Sequence, residues 1–99
     1  MEQVYFPTVL QSVAGDDYLV YAYFSDGSIK CYDMKPLIRQ GGVFDALKDE
    51  AVFKSALTVL NDTIAWDLTG SYDPTQCIDV DPFEVYNGET VSDPLDNIA

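Results

Sequence analysis

Histidine is absent from all 99 residues of this chain. Its absence removes the commonest general base at neutral pH, a usual zinc ligand and the base partner of serine and cysteine nucleophiles. Positive charge is scarce as well: five Lys and Arg stand against 17 Asp and Glu, for a formal charge of −12. All five cations fall within residues 1–54, beside eight acids, while residues 55–99 hold nine acids and no cation. Such a surface repels phosphate backbones and anionic lipid, so direct binding to nucleic acid or membrane is not expected. No apolar run approaches a membrane span, and Met1–Thr8 lacks the basic start and apolar core of a secretion signal. The chain therefore reads as cytoplasmic. Cysteine is limited to Cys31 and Cys77 with no CxxC pair, and free thiols are the default for such a protein. No phosphate-binding glycine motif occurs either, because Gly41-Gly42 lacks the lysine and the preceding strand of a nucleotide loop.

What the chain does have is aromatic and apolar content. Seven Tyr, five Phe and one Trp lie in a sequence that is 47% hydrophobic, enough for a folded globule of one domain. The clearest element is YLVYAYFSDGSIKCYDM, Tyr18 to Met34, which has the form of a β-hairpin about Asp26-Gly27. A two-residue type I′ turn there sets Phe24 opposite Ile29, Ala22 opposite Cys31 and Tyr21 opposite Tyr32. Alternation then puts Val20, Ala22, Phe24, Ile29 and Cys31 on a core face. The opposite face carries Tyr21, Tyr23, Tyr32 and Lys30, a tyrosine platform with one cation.

Residues 8–14 alternate as a first strand, so strands at 8–14, 18–24 and 28–33 form an antiparallel meander. Pro36 opens a short helical turn that Gly41-Gly42 ends. The spacing of Val43, Phe44, Leu47, Val52 and Phe53 predicts short amphipathic helices over 43–55, with Asp49 as a cap and Phe44, Leu47 and Phe53 as anchors. Residues 57–60 and 63–67 form a second hairpin about Asn61-Asp62, with Val59 facing Ile64 and Leu57 facing Trp66. Asp67 to Gln76 is turn-rich, and Asp81-Pro82 caps and starts a brief helix to Tyr86 that carries Phe83 and Tyr86 inward. The expected fold is α+β: a meander and a second hairpin, covered on one face by short helices. Residues 1–87 make the domain, after a loose lead-in at Met1–Pro7, and 88–99 an acidic, flexible tail.

Asp79, Asp81 and Glu84 are the only acids whose spacing could serve a hard cation. IDVDPF lacks the later ligands of a calcium loop, and capping already accounts for Asp81, so no metal site is assigned. No set of residues supplies both a nucleophile or base and its orienting partner, so no catalytic residue, cofactor or enzymatic activity is expected. Tyr21, Tyr23, Tyr32 and Lys30 are the candidate interaction residues, since tyrosine is enriched in interfaces. Cover of this face by the Pro82–Tyr86 segment, another helix or the tail is the structural alternative.

Taken in order, FSDG, then YDMKPLI, GGVFDALKDEAVFKSA, TIAWD and DPFEVY resemble a bacterial family called domain of unknown function twenty-four forty-two, over residues 7–87. The resemblance implies a small α+β domain, found alone or ahead of a helix-turn-helix domain, with some members encoded beside a toxin-like partner. No activity is established for that family, and this chain carries no DNA-binding extension after Tyr86. The functional expectation is a non-enzymatic protein-interaction or regulatory domain, with the family context implying an antitoxin-like role. Its partner would be a protein, basic in the charge-complementary case, or a second copy in a homo-oligomer, met through a sheet edge or the tyrosine face. The alternative is a small-ligand-binding domain with a pocket between sheet and helices.

Overall fold

The computed structural model describes residues 7–60, 62–68 and 77–92. Two antiparallel sheets and short helices make the expected α+β fold. The first sheet contains β1 (Val9–Ala14), β2 (Leu19–Phe24), β3 (Ile29–Asp33) and β7 (Glu89–Thr90), in that spatial order. The second has β4 (Leu57–Leu60), β5 (Thr63–Trp66) and β6 (Ile78–Asp79). Between the sheets in sequence come α1 (Lys35–Gln40), a 3-10 helix (Gly42–Lys48) and α2 (Glu50–Ala56), and α3 (Pro82–Tyr86) precedes β7. The lead-in at 1–6, the turn-rich stretch at 69–76 and the tail at 93–99 lie outside the described residues.

The helix boundaries follow from local chemistry. The Asp49 carboxylate accepts from the Ala51 amide and caps α2, as Asp81 accepts from the Phe83 amide and caps α3. Pro36 occupies the first turn of α1, and Gly41 ends that helix at φ 78°. α2 passes directly into β4 at Ala56–Leu57, and the Asp67 amide returns to the Ala56 carbonyl at 2.9 Å.

The core lies between the sheets and the helices. Val20, Ala22 and Phe24 of β2 share one buried cluster with Ile64 and Trp66 of β5 and with Ile38, Leu47, Phe53 and Val85. Phe53 and Trp66 rings sit 5.4 Å apart, and the Trp66 indole N–H donates to the Phe53 carbonyl at 2.9 Å. The second hairpin has the expected register, Leu57 opposite Trp66 and Val59 opposite Ile64. β1 and β4 pack near each other, and the Val9 amide donates to the Asp62 carbonyl at 3.0 Å, joining the two sheets.

The first hairpin departs from its expected register by one residue. Tyr23 pairs with Ile29, Tyr21 with Cys31, Ala22 with Lys30 and Val20 with Tyr32. A type I′ turn at Asp26-Gly27 needs positive φ at both residues, but only Gly27 has it, at 88°. Instead the Gly27 amide donates to the Phe24 carbonyl and the Phe24 amide to the Ser28 carbonyl, at 3.0 and 2.9 Å. Ser25, Asp26 and Gly27 thus form a three-residue loop ending in a glycine bulge. The Asp26 carboxylate holds the loop by accepting from the Ser28 amide and hydroxyl. One added loop residue turns every β3 side chain over. Ile29 and Cys31, expected in the core, point to the outer face, while Tyr32 and Lys30 share the inner face with Val20 and Ala22.

Two further expectations change. Phe83 is 57% exposed, and Val85 is the buried residue of α3. Glu89 and Thr90, expected in the flexible tail, form β7 and pair with Cys31 and Lys30.

Candidate interaction surface

The register divides the four candidate residues between two environments. On the inner face, the Tyr32 hydroxyl donates to Glu84 Oε2 at 2.8 Å. Burial, reinforced by this carboxylate, pushes the Tyr32 phenol well above its ordinary range. The Lys30 ammonium donates to Thr90 Oγ1 at 2.6 Å and sits 4.6 Å from the centre of the Tyr86 ring. Tyr86 packs edge-on to Phe24 at 5.0 Å, and its hydroxyl donates to Asp26. Lys30 and Tyr32 therefore fasten α3 and β7 to the meander, and the Pro82–Tyr86 segment is the cover over them.

Tyr21 and Tyr23 lie on the outer face. Cross-strand pairing gathers Val13, Tyr21 and Cys31 in one row and Gln11, Tyr23 and Ile29 in the next, with Leu19 and Asp33 toward one end. Val13, Leu19, Tyr21, Tyr23 and Ile29 are only partly exposed, yet none belongs to the buried cluster or packs against it. Tyr21 also lies over Gly15, where a Cβ would stand 2.7 Å from the ring. Leu10, the extra residue at the bulge in β1, is 67% exposed.

The outer face is uncharged at its centre. Asp33, which pairs with Lys35 at 3.1 Å, stands at one end, and Glu89, opposite Cys31, continues the Tyr21 row onto β7. Hydrogen bonds from the Lys35 amide and ammonium outweigh desolvation and hold the Asp33 carboxyl below its ordinary value. Burial, with Glu89 and Asp33 nearby, pushes the Cys31 thiol up, so it stays protonated at neutral pH. Cys31 and Cys77 are not joined in a disulfide.

No third use of the acids emerges among the described residues: Asp81 caps α3, Glu84 accepts from Tyr32, and no group of three metal-ligating side chains comes together. Among the described residues no pocket opens between sheet and helices, and no helix is long and apolar enough to cross a membrane. The outer apolar face could have been found in the sequence by testing both loop lengths at Ser25-Asp26-Gly27. The partners that hold Tyr32 and Lys30 inward carry no local signal, since Glu84 and Thr90 lie 52 and 60 residues away.

A comparison with protein-family models, with curated proteins and with solved structures finds no match to this chain.

Proposed function

We propose that this chain is a non-enzymatic, cytoplasmic protein-interaction or regulatory domain whose contact surface is the outer face of the first sheet. The observation that carries this reading is the location of Tyr21: it is central to a largely apolar face and outside the buried core cluster. Aromatic side chains with a polar tip suit a surface that is alternately wet and covered. Tyr21 and Tyr23 are the contact residues in this proposal, whereas Lys30 and Tyr32 already serve the clasp around α3. The resemblance to the bacterial family supports a regulatory setting and adds the antitoxin-like version. For that version the −12 chain favours a basic partner, with binding that weakens as salt rises.

Affinity capture from the native host with wild type and Tyr21→Ser tests the reading. Stoichiometric recovery of a protein by wild type and its loss with a folded Tyr21→Ser variant is the expected result. Equal recovery by both would assign the contact to another surface.

A further inference from the structure

We propose that Asn87 is a modification site, where attack by the Gly88 backbone nitrogen removes the side-chain amide when the turn between α3 and β7 opens. The isoaspartate that results keeps β7 from pairing with β3 again. This site is separate from the contact surface proposed above and does not depend on it.

The chemistry starts from the sequence. Gly88 has no side chain to hinder its nitrogen, whereas the other two asparagines, Asn61 and Asn97, precede Asp62 and Ile98. The Gly88 nitrogen attacks Cγ of Asn87, its proton departs with the side-chain nitrogen as ammonia, and a succinimide ring closes. Water then opens the ring. Addition at the Asn87 backbone carbonyl gives isoaspartate and addition at Cγ gives aspartate. Either route consumes one water and changes no oxidation state.

The fold restrains this reaction without burying the group. Asn87 is exposed at the C-terminus of α3, so water reaches it. Its ψ of 0° turns the Gly88 nitrogen away from the side chain, and ring closure requires that angle to rotate. The Gly88 amide donates to the Val85 carbonyl at 3.0 Å and the Asn87 amide to the Phe83 carbonyl at 3.1 Å. These bonds have to yield first. The preceding residue, Tyr86, is anchored through its hydroxyl to Asp26, so the clasp on the first hairpin sets how often the turn opens.

The product matters because the chain passes so close to β3 at this point. A Cβ on Gly88 would stand 2.9 Å from the Cys31 carbonyl oxygen and 3.0 Å from that of Val85. Isoaspartate inserts a methylene into the main chain one residue earlier, where backbone already closes the space. β7 has only two residues, paired with Cys31 and Lys30, and few bonds with which to absorb the change. Its release is one-way.

Incubation of the full chain at mildly alkaline pH, in buffer and in urea, tests this, with mass-spectrometric peptide mapping that separates isoaspartate from aspartate. Asn87 is expected to convert in the folded chain more slowly than in urea. Tyr86→Phe should raise the folded rate about fivefold, the effect on opening of one lost hydrogen bond, with exchange at β2 amides unchanged. Equal rates in buffer and urea overturn the proposal, because the fold would then restrain nothing. A folded chain that stays unmodified in both wild type and Tyr86→Phe overturns it too, as does a rate that Tyr86→Phe leaves unchanged or raises only together with β2 exchange. The isoaspartate form, separated from unmodified chain, should show faster hydrogen exchange at the Val91 amide, whereas Asn87→Asp, which adds the charge without the methylene, should keep its protection. Protection of Val91 in the isoaspartate form, or its loss in both, overturns the assigned effect on β7.

Discussion

The Tyr86 hydroxyl donates to Oδ2 of Asp26, a residue 60 positions earlier, and so ties the helix before β7 to the loop of the first hairpin. The Ser28 hydroxyl bonds the same carboxylate, and the two together lower its pKa from 3.8 to about 2. A depressed carboxylate adds stability above its unfolded pKa and loses it as pH falls through the folded one. The stability advantage of wild type over Asp26→Asn is therefore expected to be full above pH 3.8 and to vanish by about pH 2. Urea unfolding across this window measures it. An advantage independent of pH would exclude the carboxylate as its source.

Asp17 and Tyr18 both have positive φ, 59° and 62°, which costs on the order of 1 kcal/mol each in an L-residue. The turn is held by Lys35, which bonds the Asp17 carboxylate and carbonyl at 3.1 and 2.9 Å. Tyr18 is held by its hydroxyl, which donates to the Lys48 carbonyl, and by an edge-on contact with Phe53 at 5.2 Å. Tyr18→Phe should cost about 1 kcal/mol by removing the hydrogen bond. Tyr18→Ala should cost about 3 kcal/mol by removing the ring as well. Equal losses in thermal or urea unfolding would assign the whole effect to the hydroxyl.

Phe53 is fully buried between Tyr18 and Trp66. Phe53→Ala should destabilise by about 3–5 kcal/mol and shift Trp66 fluorescence to the red. Val43, 71% exposed on the 3-10 helix, provides the contrast. Val43→Ala should stay within ~0.5 kcal/mol of wild type, a comparison that equilibrium unfolding makes directly.

Gly88 lets the chain leave α3 and meet β3 closely. A Cβ there would lie 2.9 Å from the Cys31 carbonyl oxygen and 3.0 Å from that of Val85, both backbone atoms. Gly88→Ala should detach β7, seen as faster hydrogen exchange at the Val91 amide, which donates to the Ile29 carbonyl at 2.9 Å. Exchange at β1 and β2 amides should change little. Unchanged protection of Val91 would show that the backbone can yield at this point.

Elements with a local signature were legible in advance. Asp49 and Asp81 carry the side-chain oxygen a helix start needs, and Leu57 to Trp66 has an alternation that admits one buried face. The hairpin register was not legible, because Asp-Gly serves a two-residue loop and a three-residue loop ending in a glycine bulge equally well. Choosing the loop that buried Ile29 and Cys31 maximised apolar burial in β3 alone. The fold instead turns Tyr32 and Lys30 inward, where Glu84, Tyr86 and Thr90 satisfy their polar ends. Those partners arrive from α3 and β7, after most of the chain, and the second of these elements has only two residues. Half of the tyrosine platform survived because Tyr21 and Tyr23 share a strand, and no choice of loop can separate them.

The bond from the Val9 amide to the Asp62 carbonyl turns the edges of the two sheets toward each other at β1 and β4. The opposite edges are β7 and β6, and each has only two residues. A growing fibre recruits chains through a long unpaired strand, and these margins are too short to act as its template. Among the described residues, neither outer edge offers a long unpaired strand to such a fibre.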